Sequence, residues 1–347
     1  MTPEIRRSLV QHSRLRQDPH AVLRRLLDRV RPGLRPDEPT EQLERRIADL
    51  LGKPAALFFP TGTMAQQTAL RVHAERTGRR TFAAHPQCHL AVWEDGGYSA
   101  VHGLRHHAVA DREELITSAD LAGVREPIAA LLLELPQRDL GGLLPTWDEL
   151  VAQTTWARER GAATHLDGAR LWEAQPHYDR PFAEIADLFD TVYVSLYKGL
   201  EGVRGAVLAG DRETVDAAAA WRHRLGGATP DSWPAALTGL MGLDEVLPRM
   251  AEFRDHAVAV AAAINADGYA TTRPHVPQTP MFHVHIPAPK DVVAAAAERI
   301  LAESGVELPR RPKSSPDPTR CSIELTIGVV SLDFTPQEVA DLIRRLR

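Results

Sequence analysis

The chain has 347 residues, 44% of them hydrophobic and 25% charged, with a formal net charge of −5. This is ordinary globular usage, long enough for one large and one small domain, and the mild negative charge excludes the basic footprint of a nucleic-acid partner. Cys88 and Cys321 make no disulfide framework, residues 1–17 carry no apolar leader core, and no stretch reaches the ~18 uncharged apolar residues of a membrane span, so a reducing, cytoplasmic setting without membrane insertion is expected.

Helical periodicity with alternating charge over 19–30 ends at Arg31-Pro32-Gly33 and reads as part of an N-terminal arm. A helix from Thr40 through Leu51 leads to the apolar run 55–59, and Pro60-Thr61-Gly62-Thr63 then opens a second helix toward His73. Strand, small-residue turn and helix together offer backbone N–H groups and a positive helix end to a phosphate-sized anion, although such a turn on its own is more often a simple cap. The unbroken apolar run 128–135 reads as a strand covered on both faces. Thr146 and Glu149 form a capping-box pattern, the helix they open runs to Arg160, and Gly161 stops it before the strand that carries Asp167. That is a βαβ crossover, which implies a mostly parallel sheet with helices on both faces; a short strand over 205–209 follows Lys198.

Beyond Trp221 come an Ala-rich helical region over 235–265, the alternating strand Met281–Ile286, a helix over 292–303, a Pro/Arg/Ser-rich loop over 309–318, a strand over 321–327 and a last helix opened by Thr335 and Glu338. Strand, helix, strand, helix makes a smaller α+β domain. The expected division is an arm over 1–40, a large cofactor-binding domain over 41–235 and a small C-terminal domain over 236–347.

Two segments carry the chemistry: His165-Leu166-Asp167-Gly168-Ala169-Arg170 and Ser195-Leu196-Tyr197-Lys198-Gly199-Leu200. Each puts a charged group at the end of an apolar strand-like run, so both emerge at the rim of one sheet, where α/β proteins build their sites. A lysine there can form a Schiff base and an aspartate can pair with a protonated pyridine nitrogen, which is the equipment for using pyridoxal phosphate as an electron sink. A lone lysine after a strand is usually just solvated, and a lone aspartate is usually a cap or turn residue. Lysine, however, occurs only at Lys53, Lys198, Lys290 and Lys313, arginine being the default cation of this chain. Only the amine can deprotonate and attack an aldehyde, which gives a lysine in an apolar context a reason to be there.

In order and spacing, the chain resembles the threonine aldolase branch of the fold-type-I pyridoxal-phosphate enzymes, within the wider β-eliminating lyase group. The matching pieces are Asp37-Glu38-Pro39-Thr40, Leu57-Phe58-Phe59-Pro60-Thr61-Gly62-Thr63, His89 with Glu94-Asp95-Gly96-Gly97, Leu166-Asp167-Gly168-Ala169-Arg170, Lys198-Gly199-Leu200, and Trp221-Arg222 with Gly226-Gly227. The resemblance implies an α/β architecture with a mostly parallel central sheet, and pyridoxal 5'-phosphate as cofactor. Lys198 looks like the lysine that links to the cofactor, Asp167 like the partner of its pyridine nitrogen, and Gly62 and Thr63 like phosphate ligands. His89 is similar to the histidine that stacks on the ring and serves in acid/base work, and Arg170 to an arginine that holds the substrate carboxylate. The resemblance also implies a homodimer or homotetramer, an amino-acid substrate and no metal.

The departures from that family lie on the substrate side. The Arg-Ser-Asp-Thr opening is unmatched, and Glu134-Leu135-Pro136-Gln137-Arg138 stands where relatives carry a second histidine. Tyr197 and Glu201 flank Lys198 in place of a serine and a small residue. Thr229-Pro230-Asp231 replaces a Met-Arg-Gln segment that contacts phosphate from the neighbouring subunit. Ile323 falls where relatives hold the substrate carboxylate with arginine, leaving Arg170, Arg320 and Arg138 as candidates for that contact. The implied reaction is cleavage or formation of a β-hydroxy-α-amino acid, giving glycine plus an aldehyde, with a side chain other than that of threonine. Lys198, His89 and Asp167 would be its catalytic residues. The alternatives are a β-eliminating lyase and a cofactor-binding protein without turnover.

Overall fold

The computed structural model describes residues 4–11, 13, 15 and 18–347; the part of the expected N-terminal arm at 1–3, 12, 14, 16 and 17 lies outside the described residues. In chain order the strands are β1 (Arg7–Ser8), β2 (Ala55–Phe59), β3 (Thr81–Ala84), β4 (Arg105–Ala108), β5 (Ala130–Glu134), β6 (Ala163–Gly168), β7 (Thr191–Ser195), β8 (Ala206–Gly210), β9 (Thr271–Arg273), β10 (Met281–Ile286), β11 (Val306–Glu307), β12 (Lys313–Ser314) and β13 (Cys321–Thr326). The chain divides into two compact units: Met1–Arg29, Leu140–Leu143 and Glu245–Arg347 form the smaller, Val30–Asp139 and Leu144–Asp244 the larger. The first 29 residues thus group with the C-terminal part of the chain.

The larger unit is built on a seven-stranded sheet of order β2-β8-β7-β6-β5-β3-β4. Neighbours from β4 to β7 run parallel, whereas β8 is antiparallel to both β7 and β2. Every residue of β7 and β8 is buried whichever way its side chain points, so the sheet centre is covered on both faces. One apolar layer joins Leu57 and Phe59 of β2 and Leu208 of β8 to Ala65, Ala69 and Val72 of the helix Gly62–Thr77. A second joins Phe82 and Leu132 to Leu70, Leu90 and Leu104. The helix Gly62–Thr77 starts because the Thr61 hydroxyl accepts the Met64 N–H at 3.2 Å. Thr146 caps Trp147–Glu159 in the same way, and left-handed Gly161 follows that helix at φ 62°. At the sheet margin β2 has only β8 for a neighbour. There the Phe58 N–H donates to Glu44 Oε1 at 2.7 Å and Arg222 Nη1 donates to the Phe58 carbonyl at 2.7 Å, so side chains blunt the exposed edge.

In the smaller unit an antiparallel sheet of order β12-β13-β10-β9 pairs Met281 through Ile286 with Thr326 through Cys321. Separately, β1 pairs in parallel with β11. Glu307 on β11 is buried, and its Oε2 accepts the hydroxyls of Ser8 at 2.8 Å and Ser13 at 2.9 Å. The final helix Pro336–Arg344 opens with a complete capping box at Thr335 and Glu338. The Ala-rich region expected as one helix over 235–265 is broken: Trp233–Glu245 and Met250–Asp267 are separated by a 3-10 turn at Leu247–Arg249, because Pro248 lacks the N–H that a continuing helix needs. Among the described residues, no helix is long and apolar enough to cross a membrane.

Candidate active site at the strand ends

Strand β6 delivers Asp167 beside Glu134 of β5 in the parallel register. Asp167 is 1% exposed. Its Oδ1 accepts the Ala169 N–H at 3.0 Å, while its buried Oδ2 has no hydrogen-bond partner among the described residues. A buried carboxylate oxygen left without a donor is costly, so its presence calls for a partner the protein does not supply.

Lys198 lies three residues past the end of β7, in a turn held by the Lys198 N–H to Ser195 Oγ at 3.4 Å and by Trp172 Nε1 to the Ser195 carbonyl at 2.9 Å. Part of the residue stays accessible, yet the amine is enclosed enough that burial, reinforced by the positive charge of Arg170, lowers its pKa. The carboxylates of Asp167 and Glu134 pull the other way. Glu134 itself is pushed up to about 8 by burial and by the negative charge of Asp167. Its two oxygens accept the Arg138 N–H at 3.0 Å and Gln137 Nε2 at 3.3 Å, and Gln137 Nε2 also donates to the Gln87 carbonyl at 3.3 Å. The site thus holds an amine of reduced basicity that feels two acids, the buried Asp167 and the half-buried Glu134.

His89 opens the short helix His89–Trp93, and its Nδ1 lies 3.0 Å from Glu94 Oε1. The buried Glu94 is fixed in turn by Gln67 Nε2 at 2.7 Å, and Gln67 rides on the same helix that Gly62 and Thr63 begin. The thiol of Cys88, next to His89, is pushed up by burial and feels Glu134, Asp167 and Glu94, which brings the His89 segment to the same strand ends. Gly62 packs so closely on Tyr193 of β7 that a Cβ there would stand 2.0 Å from the Tyr193 hydroxyl oxygen. Thr63 beside it is exposed.

The three candidate carboxylate-binding arginines have different fates. Arg170 is buried and its Nη1 spans both oxygens of Glu173 at 3.0 and 3.3 Å. Arg138 places its guanidinium carbon 5.1 Å from the Trp93 ring centroid. Arg320 belongs to the smaller unit and is exposed just before β13. Sequence reading passed over Glu134, Gln67 and Tyr193. Glu134 ends its apolar run as Asp167 ends its own, and that shared signature could have flagged it.

A lysine and an aspartate at the ends of parallel strands, on an α/β sheet of this order, define a fold-type-I architecture. The serine palmitoyltransferase of Sphingomonas wittichii superimposes with a TM-score of 0.65 at 13% identity, covering 89% of this chain and 75% of that one, a likeness of fold alone. Nearer is a crystal structure assigned as an L-allo-threonine aldolase from Listeria monocytogenes: 34% identity, TM-score 0.91, 99% of this chain and 96% of that chain. The low-specificity L-threonine aldolase 1 of Arabidopsis thaliana is 28% identical over 286 residues, 79% of each chain. The β-eliminating lyase family model matches residues 34–287. The chain belongs to the β-eliminating lyase family, in its threonine aldolase branch, and is a lyase.

Proposed function

We propose that this lyase is a pyridoxal-phosphate-dependent aldolase that splits a β-hydroxy-α-amino acid into glycine and an aldehyde, with a side chain larger than the methyl group of threonine. The observation that carries the reading is Asp167 Oδ2, a buried carboxylate oxygen without a donor among the described residues, which a protonated pyridine nitrogen would complete. The other residues present fit the same group. Lys198 would hold it covalently, its lowered pKa leaving more of the amine unprotonated and nucleophilic near neutrality. Gly62 and Thr63, at the start of a sixteen-residue helix, would receive its phosphate on backbone N–H groups. Bound there, pyridoxal phosphate supplies an electron sink for the electron pair left on Cα when the Cα–Cβ bond breaks.

His89 takes the proton of the β-hydroxyl. With Nδ1 turned to Glu94, its Nε2 is the ring nitrogen left to accept that proton, and the carboxylate stabilises the imidazolium that results. With the group in place, Asp167 would hold the proton of the pyridine nitrogen, and the proton that His89 takes from the hydroxyl would be the one passed to Cα, by way of the Lys198 amine, before glycine leaves. Arg170 receives the substrate carboxylate as the bidentate donor, sharing its charge with Glu173, while Arg320 and Arg138 remain the other candidates. Gln137 Nε2 donates to Glu134 and to the Gln87 carbonyl, which uses both of its N–H groups.

The test is a screen of β-hydroxy amino acids with separate detection of glycine plus aldehyde and of keto acid plus ammonia. Glycine and aldehyde in equal amounts are expected. Keto acid and ammonia without glycine would establish β-elimination instead, and no product from any member would leave only cofactor binding.

A further inference from the structure

Gln67 is a buried polar side chain in the second turn of the helix Gly62–Thr77, and its Nε2 donates to Glu94 Oε2 at 2.7 Å. The other oxygen of that carboxylate, Oε1, lies 3.0 Å from His89 Nδ1. The Glu94 side chain is 1% exposed, so these two contacts rather than solvent set its orientation. Gly97 lies against the amide: a Cβ there would stand 2.7 Å from Gln67 Nε2 and 3.2 Å from its Oε1. Close packing as well as the hydrogen bond therefore holds the amide in place.

The donor and acceptor chemistry of the three groups fixes where the protons sit. An amide nitrogen only donates, so the Glu94 oxygen that faces it must accept and carries no proton. The ionised carboxylate then takes the Nδ1 hydrogen of His89, which leaves Nε2 as the basic nitrogen. Other titratable groups do not replace this donor. Cys88 and Tyr193 both feel Glu94, but burial pushes each of them up and keeps them neutral. Glu134 and Asp167 act on the Cys88 side of the segment, and Asp95 is exposed. Arg71, one turn beyond Gln67, is turned to Glu75 and to the His102 carbonyl. Without the amide, a buried carboxylate that has lost a charge-assisted donor binds a proton more readily, and the His89 and Glu94 pair would hold its proton to higher pH.

We infer that Gln67 is a positioning residue, which keeps Glu94 ionised and aimed at His89 Nδ1 and so sets the pH range over which His89 can act as a base. This rests on the aldolase reading above for what His89 does and adds the residue that tunes it. The helix that carries Gln67 also begins with Gly62 and Thr63, so one rigid element supports both the base and the seat assigned to the phosphate.

The experiment follows kcat/KM against pH for wild-type holoenzyme, Gln67→Met and Gln67→Glu. Methionine keeps the length of the side chain and cannot donate, whereas glutamate keeps its shape and puts an acceptor where the donor was. In Gln67→Met the acid limb should move up by ~1 pH unit or more, the scale of one hydrogen bond to a charged group. Gln67→Glu should move it at least as far, because two carboxylates at hydrogen-bond distance share a proton instead of both ionising. Cofactor affinity should stay within about two-fold in both. A merely structural role gives another pattern, with Gln67→Glu close to wild type and Gln67→Met lowered equally at every pH. An acid limb that stays in place or moves down in Gln67→Glu overturns the inference, and that variant decides alone if Gln67→Met does not fold. Titration of the His89 ring in the holoprotein, followed by NMR of isotope-labelled histidine and assigned with His89→Asn, needs no turnover. Should no β-hydroxy amino acid be cleaved, the aldolase reading fails, while an upward midpoint in Gln67→Glu would still support the role of Gln67. An unmoved midpoint would refute it.

Discussion

Replacing Gly62 by alanine tests how the cofactor cradle is built. An ideal Cβ at Gly62 falls 2.0 Å from the Tyr193 hydroxyl oxygen, 2.6 Å from Cζ and 3.0 Å from Cε2, where ordinary contact begins near 3.4 Å. Something must therefore move by more than an ångström. Tyr193 is 2% exposed and sits in the middle of β7 between two paired strands, so it cannot swing away; the first turn of the helix Gly62–Thr77 has to give. Overpacking of this kind costs ~1–3 kcal/mol. Because the displaced turn carries the N–H groups assigned to the phosphate, that cost should appear as ~5- to 150-fold weaker pyridoxal phosphate binding. The assay is equilibrium titration of the apoprotein followed by absorbance, on Gly62→Ala, Tyr193→Leu and the double variant. Leucine removes all three clashing ring atoms, so the double variant should bind more tightly than the two separate losses sum to, with a coupling of ~1 kcal/mol or more. Gly62→Ala binding within two-fold of wild type, or strict additivity in the cycle, would refute the idea that glycine is there to let the turn lie against Tyr193.

Borohydride reduction of the holoprotein followed by peptide mapping should place the pyridoxyl label on Lys198, and Lys198→Ala should abolish it; label on Lys53, Lys290 or Lys313 would remove the assignment. Asp167→Asn should retain cofactor but lower kcat by ~10²–10³-fold, the scale of losing one preorganised electrostatic partner, and near-normal turnover would sink the electron-sink role. Acid sensitivity should come from the buried pair His73 and His165, both hydrogen-bonded to Thr191 Oγ1 at 2.8 Å and pushed down by burial to about 4 and about 3. Their folded pKa values lie below the ordinary 6.5, so the unfolded chain binds protons first as pH falls. Stability is then lost from pH ~6.5 downward at ~1.4 kcal/mol per pH unit per histidine. In urea unfolding between pH 6.5 and 5, His73→Gln should flatten the slope by that amount, and an unchanged slope would count against it.

The sequence disclosed strands where local pattern and tertiary need agree. The run Ala55–Phe59 ends at Pro60 and is a strand over those same residues, and Met281–Ile286 is a strand over its expected span, although burial reaches both of its faces and leaves only His285 half-buried. Strands β3 and β4 escaped notice: each is four residues long, and Arg105-His106-His107-Ala108 carries no apolar signal, its strand form coming from pairing with β3. Lys198 and Asp167 were legible as charged ends of apolar runs. Glu134 carries the same local mark at the end of its own apolar run, but its place opposite Asp167 is a matter of register across a crossover, which no local window contains. The same holds for Trp93 with Asp139 and Arg138, which are far apart in sequence and meet only because the loop after β5 folds back.

The pairing of β1 with β11 has a consequence for how the chain is made. Ser8 and its partner Glu307 are 299 residues apart, so at ~5–20 residues per second the ribosome takes ~15–60 s between them. All seven strands of the larger unit are synthesised within that interval. The larger sheet can therefore close while β1 still waits for β11. A chain stopped anywhere between Gly210 and Val306 would hold a complete larger sheet and an orphaned β1, a nascent product that could look folded by its sheet content and still lack the pairing that closes the smaller unit.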